Sequence, residues 1–215
     1  MSSSKAWKND EKNLISDLLI TAKRIPLIEA YLLEEINYLK NNIDLNATVI
    51  DFGCGNGRHL NILKNRIDQG LGVDMNKSYL AEASQLCLSD NICFEVGDIE
   101  NYQAQEQFDV AIAMYNTFGN VDNPQGMIES MMRSIKENGK IIISIFSSSS
   151  VAARLDMYSL LDLKIDIDGY KVTSKEGLTS RCFTEDMIYA FMPNAKIEKC
   201  TDIGWIVVLE QERLG

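Results

Sequence analysis

Hydrophobic positions along the chain follow two patterns, short β-rich runs and longer segments with apolar residues at helical spacing. Five such runs predict strands, and helical segments lie between them. Strands that alternate with helices indicate βαβ units, and hence an α/β fold with a doubly wound, mostly parallel sheet. The last run is almost entirely β-branched, which is typical of a strand buried on both faces. The predicted strands are residues 48–52, 70–73, 92–96, 108–114 and 140–146.

The first forty residues have helical spacing. Pro26 suits a first helical turn, so we expect one helix before it and one after it. Because these helices precede the first strand, they are free to cover the mouth of a site on the sheet; packing on the sheet edge is the alternative. If they cover a site, Arg24 and Tyr31 are the residues to examine. The apolar positions expected to face inward are Leu14, Leu18, Leu19, Ile20, Leu27, Tyr31, Leu32, Ile36 and Leu39.

After residue 150 the pattern predicts a helix, a two-stranded hairpin, a second helix with Thr184 as N-cap, and a closing hairpin. Only a few residues join the last two strands, so they are expected to be antiparallel. The elements are residues 151–163, residues 164–172 with 177–183, a helix after 184, and residues 196–200 with 205–210.

The prediction is thus a single domain over residues 1–215, with a sheet of about seven strands. Its length is ordinary for one domain with a full core. We divide it into an N-terminal helical cap (1–42), a ligand-binding core (47–146), a lid (151–183) and a C-terminal helix and hairpin (184–215).

Composition and charge exclude several classes of function. Hydrophobic residues make up 46% and charged residues 24%, as in soluble globular proteins. The net charge of −10 argues against nucleic acid as a partner, because that affinity comes mostly from Lys and Arg. No apolar run predicts a membrane span or signal peptide, so we expect a cytoplasmic protein. Five cysteines without C-x-x-C spacing and a single histidine predict neither a disulfide framework nor a metal site. Nothing indicates an oligomeric state.

One stretch carries the strongest chemical signal, a glycine loop directly after the first strand. Gly53, Gly55 and Gly57 can adopt positive φ and let a ligand approach the backbone, and the next helix would point free N–H groups at it. The dinucleotide fingerprint G-x-G-x-x-G would need its third glycine where Arg58 stands. Asp51, at the strand end, suits a ligand with a positive group and would repel a pyrophosphate. The stretch resembles the first motif of the class I S-adenosylmethionine-dependent methyltransferases, a Rossmann-like family.

The resemblance covers residues 47–146, with a weaker echo after residue 183, where the predicted antiparallel hairpin is also a family feature. It implies S-adenosylmethionine as cofactor. A carboxylate at Asp74, ending the second strand, can accept both ribose hydroxyls. By the resemblance, Asp98 would bind the adenine amino group, with Met75 and Ile99 packing on the ring. The predicted cofactor-binding residues are Asp51, Gly53, Cys54, Gly55, Asn56, Gly57, Asp74, Met75, Asp98, Ile99 and Met114; no metal is expected. Cys54 is interpreted as a cofactor contact and His59 as a packing residue.

The segment after the fourth strand lies where a transferred methyl group would be, and Tyr115, Asn116 and Asn120 are its candidate catalytic residues. The segment resembles that of small-molecule N-methyltransferases, some of which place His or Tyr where this chain has Asn120. This favours an acceptor amine that loses its proton before reaction. It lacks the paired prolines of nucleic-acid amino methyltransferases, which stack a flipped base.

We therefore predict methyl transfer to a small-molecule acceptor, most plausibly at an amine nitrogen. Alternatives are an O- or protein methyltransferase, a noncatalytic cofactor-binding protein on the same fold, and a dinucleotide-dependent oxidoreductase. Five residues of the predicted lid could meet a carboxylate-bearing acceptor, although each taken singly is expected on the solvated surface. They are Arg154, Tyr158, Tyr170, Lys171 and Arg181.

Overall fold

The computed structural model describes residues 14–105, 107–175 and 178–210. In chain order the elements are α1 (Leu14–Ala22), α2 (Pro26–Asn42), β1 (Thr48–Phe52), α3 (Arg58–Leu63), β2 (Gln69–Asp74), α4 (Lys77–Leu86), β3 (Ile92–Val96), β4 (Phe108–Ala113), α5 (Thr117–Asn120), α6 (Pro124–Ser134), β5 (Ile135–Phe146), α7 (Val151–Leu160), β6 (Ile165–Asp168), β7 (Lys171–Ser174), β8 (Thr179–Arg181), α8 (Glu185–Phe191), β9 (Lys196–Lys199) and β10 (Gly204–Glu210).

Seven strands form the central sheet, in the order β3-β2-β1-β4-β5-β10-β9. The first five are parallel to one another, and β10 is antiparallel to both β5 and β9. This confirms the predicted α/β fold with its terminal hairpin. Within β5, Ile142 packs in one apolar layer while Ile141 and Ile143 pack in the other, so helices must cover both faces. The described part of the chain contains no helix that is both long and apolar enough to cross a bilayer.

The inward face of the N-terminal helices differs from the prediction at two positions. Residues 1–13 and the side chains of residues 14 and 15 lie outside the described part of the chain. In α1 the buried face carries Leu18 and Ala22, so Ile20, about 200° away around the helix, is exposed. At the start of α2, Ile28 is buried, whereas its neighbour Leu27, which was predicted to face inward, is exposed. A run of adjacent apolar residues does not by itself show which one faces the core.

The predicted hairpin after α7 is a three-stranded antiparallel sheet, β6-β7-β8. The first predicted strand, residues 164–172, is divided by a two-residue turn at which Gly169 has a φ of 57°. The helix α7 also ends three residues earlier than predicted, at Leu160. Thr184 caps α8 as expected, since its side chain accepts a hydrogen bond from the Met187 N–H. This small sheet and α7 stand beside the carboxyl ends of the central strands.

Candidate active site

The glycine loop between β1 and α3 has the backbone conformation that its sequence predicts. Gly53, Gly55 and Gly57 have φ values of 71°, 54° and 74°. A Cβ on Gly53 would lie 2.5 Å from a methyl carbon of Thr117, and one on Gly57 would lie 2.7 Å from the ring of Phe94. Both positions therefore require glycine for conformation and for space.

Asp74, at the end of β2, holds this loop in place. One of its carboxylate oxygens accepts the Gly55 N–H at 2.9 Å and the other accepts the Asn76 N–H at 2.9 Å. A carboxylate offers about four acceptor positions, so acceptor capacity remains for a diol. Asp74 is only 9% exposed, and burial raises its pKa although these backbone N–H groups oppose the effect. The side chain predicted to bind ribose thus also shapes the loop beside it.

A cavity of about 1110 Å³, counted out to its mouth, opens above the carboxyl ends of the parallel strands. Leu18 and Leu19 of α1 line it, so this helix does cover the site, whereas Tyr31 is buried against Phe146 and Arg24 is exposed. The predicted site residues in its wall are Gly53, Cys54, Gly55, Asn56, Asp74, Met75, Ile99, Met114, Tyr115, Asn116 and Asn120.

Three predicted cofactor residues are not in the wall. Gly57 is the last residue of the loop, directly before α3, and Asp51 is buried in β1. Asp98 is exposed, and its carboxylate accepts hydrogen bonds from the Glu100 N–H and the Asn101 side chain. These bonds are those of a local turn, the ordinary role of an aspartate after a strand. Ile99, the next residue, does line the cavity.

A buried polar cluster underlies the cavity, and its central residue is Glu35 of α2, which sequence reasoning missed. The Glu35 carboxylate accepts hydrogen bonds from Arg58 Nη2 at 3.0 Å, the Tyr115 N–H at 2.6 Å and the Ser144 hydroxyl. His59 completes the cluster, with its Nε2 at 2.8 Å from Arg58 Nη2. Glu35 therefore ties the N-terminal helices to the glycine-loop helix and to the end of β4.

Burial and charge set the protonation states in this cluster. Burial lowers the pKa of His59 to about 4, so the ring is neutral at pH 7. Because Arg58 donates to Nε2, the ring proton belongs on Nδ1, which lies 3.8 Å from an oxygen of Asp51. Burial raises the pKa of Asp51 to about 8. Burial also raises the pKa of Glu35, but His59, Arg58 and Ser144 outweigh it, so its pKa is lowered and the group is ionised.

Cys54 and His59 both line the cavity beside the glycine loop. Cys54 lines the cavity, and burial together with the Asp74 and Asp51 carboxylates raises its pKa well above the usual range. It is therefore a neutral thiol and not a nucleophile. His59 is buried and has its basic nitrogen engaged by Arg58, which is consistent with the packing role predicted for it.

Tyr115 and Asn116 form a strained turn at the end of β4, with φ values of 51° and 61°. The Asn116 amide donates to the Ser180 hydroxyl and the Arg181 carbonyl, each at 2.9 Å, and its oxygen accepts the Phe146 N–H. These bonds hold the turn in a sparsely populated conformation. Burial raises the pKa of Tyr115, so its hydroxyl stays protonated and is not a base at neutral pH. Asn116 thus positions the turn, and Tyr115 lies in the cavity wall.

The far end of the cavity is enclosed by the residues after β5. Tyr158 of α7 was predicted there, and it is buried in the wall. Arg154, on the same helix, is completely buried. The expectation of a solvated side chain was therefore wrong for both residues, whereas Tyr170 and Lys171 are exposed as expected. Wall residues that the sequence did not indicate include Arg58, Tyr79, Glu100, Val121, Phe146, Met157, Leu178 and Ser180.

These residues fit S-adenosylmethionine. One Asp51 oxygen is buried without a hydrogen-bond partner among the described residues, and a buried unpaired acceptor suits a nearby ammonium or sulfonium. Asp74 retains acceptor positions for a ribose diol, and Met75 and Ile99 offer apolar surface. Among the residues that the structure describes, no group of three or more His, Cys, Asp and Glu side chains is placed to hold a metal ion.

Comparison with known proteins identifies the family. Residues 43–183, more than half of the chain, match the family model of the methyltransferase domain. The chain belongs to the methyltransferase-domain family. This confirms the predicted methyltransferase family.

Individual relatives are distant. The chain is 29% identical over 141 residues to a ubiquinone biosynthesis O-methyltransferase of Glaesserella parasuis, covering 62% of this chain and 59% of that one. It is 28% identical over 100 residues to methyltransferase 235L of Invertebrate iridescent virus 6, covering 46% and 37%. The chain therefore matches less than two-thirds of the length of these curated relatives. The crystal structure of an S-adenosylmethionine-dependent methyltransferase from Clostridium acetobutylicum has the same fold, with a TM-score of 0.66, 14% identity, and 86% and 92% coverage.

Proposed function

We propose that this protein transfers a methyl group from S-adenosylmethionine to a small-molecule acceptor, at an amine nitrogen. The observation that carries the proposal is one continuous cavity. It runs from the glycine loop and Asp74 to an end lined by Tyr115, Phe146 and Tyr158. An apolar end enclosed by α7 and β8 suits a small molecule better than an extended peptide.

Methyl transfer from an activated sulfonium requires mainly that the protein align the two reactants. The bound cofactor would supply an activated methyl carbon, which the acceptor nitrogen attacks with its lone pair as the carbon–sulfur bond breaks toward sulfur. The residues around the cavity would hold the two reactants in line and exclude water. Glu35 and Asn116 contribute by fixing the strained turn that presents Tyr115.

We propose nitrogen as the methylated atom because the described part of the cavity offers no free base to deprotonate an acceptor. Among its described residues, the cavity wall contains one imidazole, His59, and two carboxylates, Asp74 and Glu100, which accept backbone N–H groups. The Tyr115 hydroxyl stays protonated, and the basic nitrogen of His59 is engaged by Arg58. A nucleophile that arrives with its proton, such as an alcohol, would have no group to take it. An amine that binds in its neutral form needs none.

Oxygen methylation is the second candidate, since one relative is named as an O-methyltransferase. A noncatalytic cofactor-binding protein on the same fold would bind the cofactor and never turn over. Both alternatives leave the cofactor half of the site unchanged. They differ from the proposal only at the acceptor end, so the experiment must identify which acceptor atom, if any, is methylated.

The test is an acceptor screen with S-adenosylmethionine carrying a labelled methyl group, with products identified by mass spectrometry. The screen uses matched pairs, such as 2-phenylethylamine with 2-phenylethanol. The proposal expects the label on nitrogen in at least one pair and none on the matching alcohols. Label found only on oxygen would replace it with O-methylation. Cofactor binding without transfer to any member of a broad panel would favour the noncatalytic alternative.

A further inference from the structure

Arg154 is an arginine whose side chain is buried in the protein. It lies in the middle of α7, and none of its surface is exposed. Its Nη2 donates to the Ser180 carbonyl oxygen at 3.1 Å and to the Tyr158 hydroxyl at 3.4 Å. Its Nε and Nη1 atoms are buried and have no hydrogen-bond partner among the described residues.

No carboxylate of the described chain lies within ion-pair distance of this guanidinium. The contrast with Arg58 is direct, because Arg58 is partly exposed and still pairs with Glu35 at 3.0 Å. Cys182 is no counter-ion to Arg154, since burial raises the pKa of its thiol. The rings of Phe146 and Tyr158, at 5.2 and 5.8 Å from the guanidinium carbon, provide cation–π contacts only. Burying a charge without a counter-ion costs free energy, and an anion bound beside Arg154 would offset that cost.

The place of Arg154 connects it to the acceptor end of the cavity. It is not itself in the wall, but Phe146, Tyr158 and Ser180, which it contacts, all are. The bond to the Tyr158 hydroxyl is long and therefore weak, so a stronger acceptor can replace it. The glycine loop follows β1, whereas Phe146 ends β5, two strands away in the sheet. That separation places Arg154 on the acceptor side and not beside the methionine part of the cofactor.

We propose that the methyl acceptor carries a carboxylate, and that Arg154 and Tyr158 bind it at the inner end of the cavity. The inference rests on the proposed function and narrows its substrate class to amines that bear an acid group. Nη1 has no partner among the described residues, and the neighbouring Nη2 holds the Tyr158 hydroxyl only weakly, so this end of the guanidinium can face the two oxygens of a carboxylate in a bidentate pair. One guanidinium balances one negative charge, so a monoanionic carboxylate fits better than a phosphate dianion.

The test measures binding in the presence of saturating S-adenosylhomocysteine. The probes are a series of short aliphatic and aryl carboxylates, from acetate to 3-phenylpropanoate, each compared with its primary amide by calorimetry. For the wild-type protein we expect at least one carboxylate to bind about tenfold or more tightly than its amide. In Arg154→Met that preference should fall to about twofold or less, while affinity for S-adenosylhomocysteine stays the same. Arg133→Met is the matched control, because Arg133 is exposed and pairs with Glu129 on α6.

Each other outcome overturns the inference in a recognisable way. A wild-type protein that prefers no carboxylate over its amide refutes it without recourse to any variant. A preference that survives in folded Arg154→Met would assign the anion site elsewhere. Loss of S-adenosylhomocysteine affinity in Arg154→Met, and not in Arg133→Met, would mean that Arg154 binds the cofactor's own carboxylate. A methyl-transfer assay separates the inference from the proposed function. Transfer to tyramine at least as fast as to tyrosine and other amino acids would refute the inference and leave the proposed function intact. Failure of the wild-type protein to bind S-adenosylhomocysteine would refute the proposed function.

Discussion

Replacing Asp74 by asparagine tests the cofactor half of the site. In the wild-type protein both carboxylate oxygens accept backbone N–H groups at 2.9 Å, and acceptor capacity remains for the ribose diol. A hydrogen bond to a charged group contributes about 1.5–3 kcal/mol, and water recovers part of that when the charge is removed. We therefore expect Asp74→Asn to weaken S-adenosylhomocysteine binding by about 1–3 kcal/mol, which is about 5- to 150-fold in Kd.

The control for Asp74→Asn is Asp109→Asn at the start of β4. The Asp109 carboxylate also accepts a backbone N–H, that of Thr48 at 2.8 Å, but it lies at the opposite end of the sheet. Calorimetric titration should show an unchanged Kd for this variant. A 2′-deoxy analogue of the ligand completes a double-mutant cycle: it should bind the wild type less tightly and lose little more in Asp74→Asn. An unchanged Kd in folded Asp74→Asn, or an equal loss in Asp109→Asn, would refute the assignment of Asp74 to the ribose.

Three further predictions concern the loop and the turn. Tyr115→Phe should leave cofactor affinity unchanged and alter turnover, so a loss of affinity alone would make it a cofactor contact. Burial raises the pKa of Asp51 to about 8 in the free protein, so binding a cationic cofactor should release a proton and tighten between about pH 6 and 8. Calorimetry in buffers of different ionisation enthalpy measures this release, which Asp51→Asn should abolish. Gly57→Ala, which meets Phe94 at 2.7 Å, should lower the free energy of unfolding more than Gly169→Ala, whose φ is also positive but whose surroundings are open; equal losses in denaturant titrations would contradict this.

The parts of the site that the sequence predicts are local in the chain. The glycine loop, Asp74 and the residues after β4 stand at fixed places relative to their strands, so a strand assignment places them automatically. The same holds for the Thr184 cap. Asp98 is the instructive exception, since its position after β3 was right and its side chain nevertheless serves a turn.

The parts that the sequence does not predict depend on contacts between distant segments. Glu35 sits in a helix where a glutamate is ordinarily solvated, and only the fold brings it to Tyr115 and Ser144. Arg154 is similar, because nothing in its neighbourhood along the chain indicates that it is buried. The sequence predicts one strand where the structure has β6 and β7, separated by a turn at Gly169. A single glycine in a β-rich segment is compatible with a strand as well as with a turn, so the sequence does not show this division.

Parallel calorimetric titrations with S-adenosylmethionine, S-adenosylhomocysteine and NAD test the central claim most directly. The arrangement of Asp51, the glycine loop and Asp74 predicts stoichiometric binding of the first two ligands and none of NAD. Binding of NAD, or of none of the three, would contradict the account of the site and remove the basis for every role assigned within it.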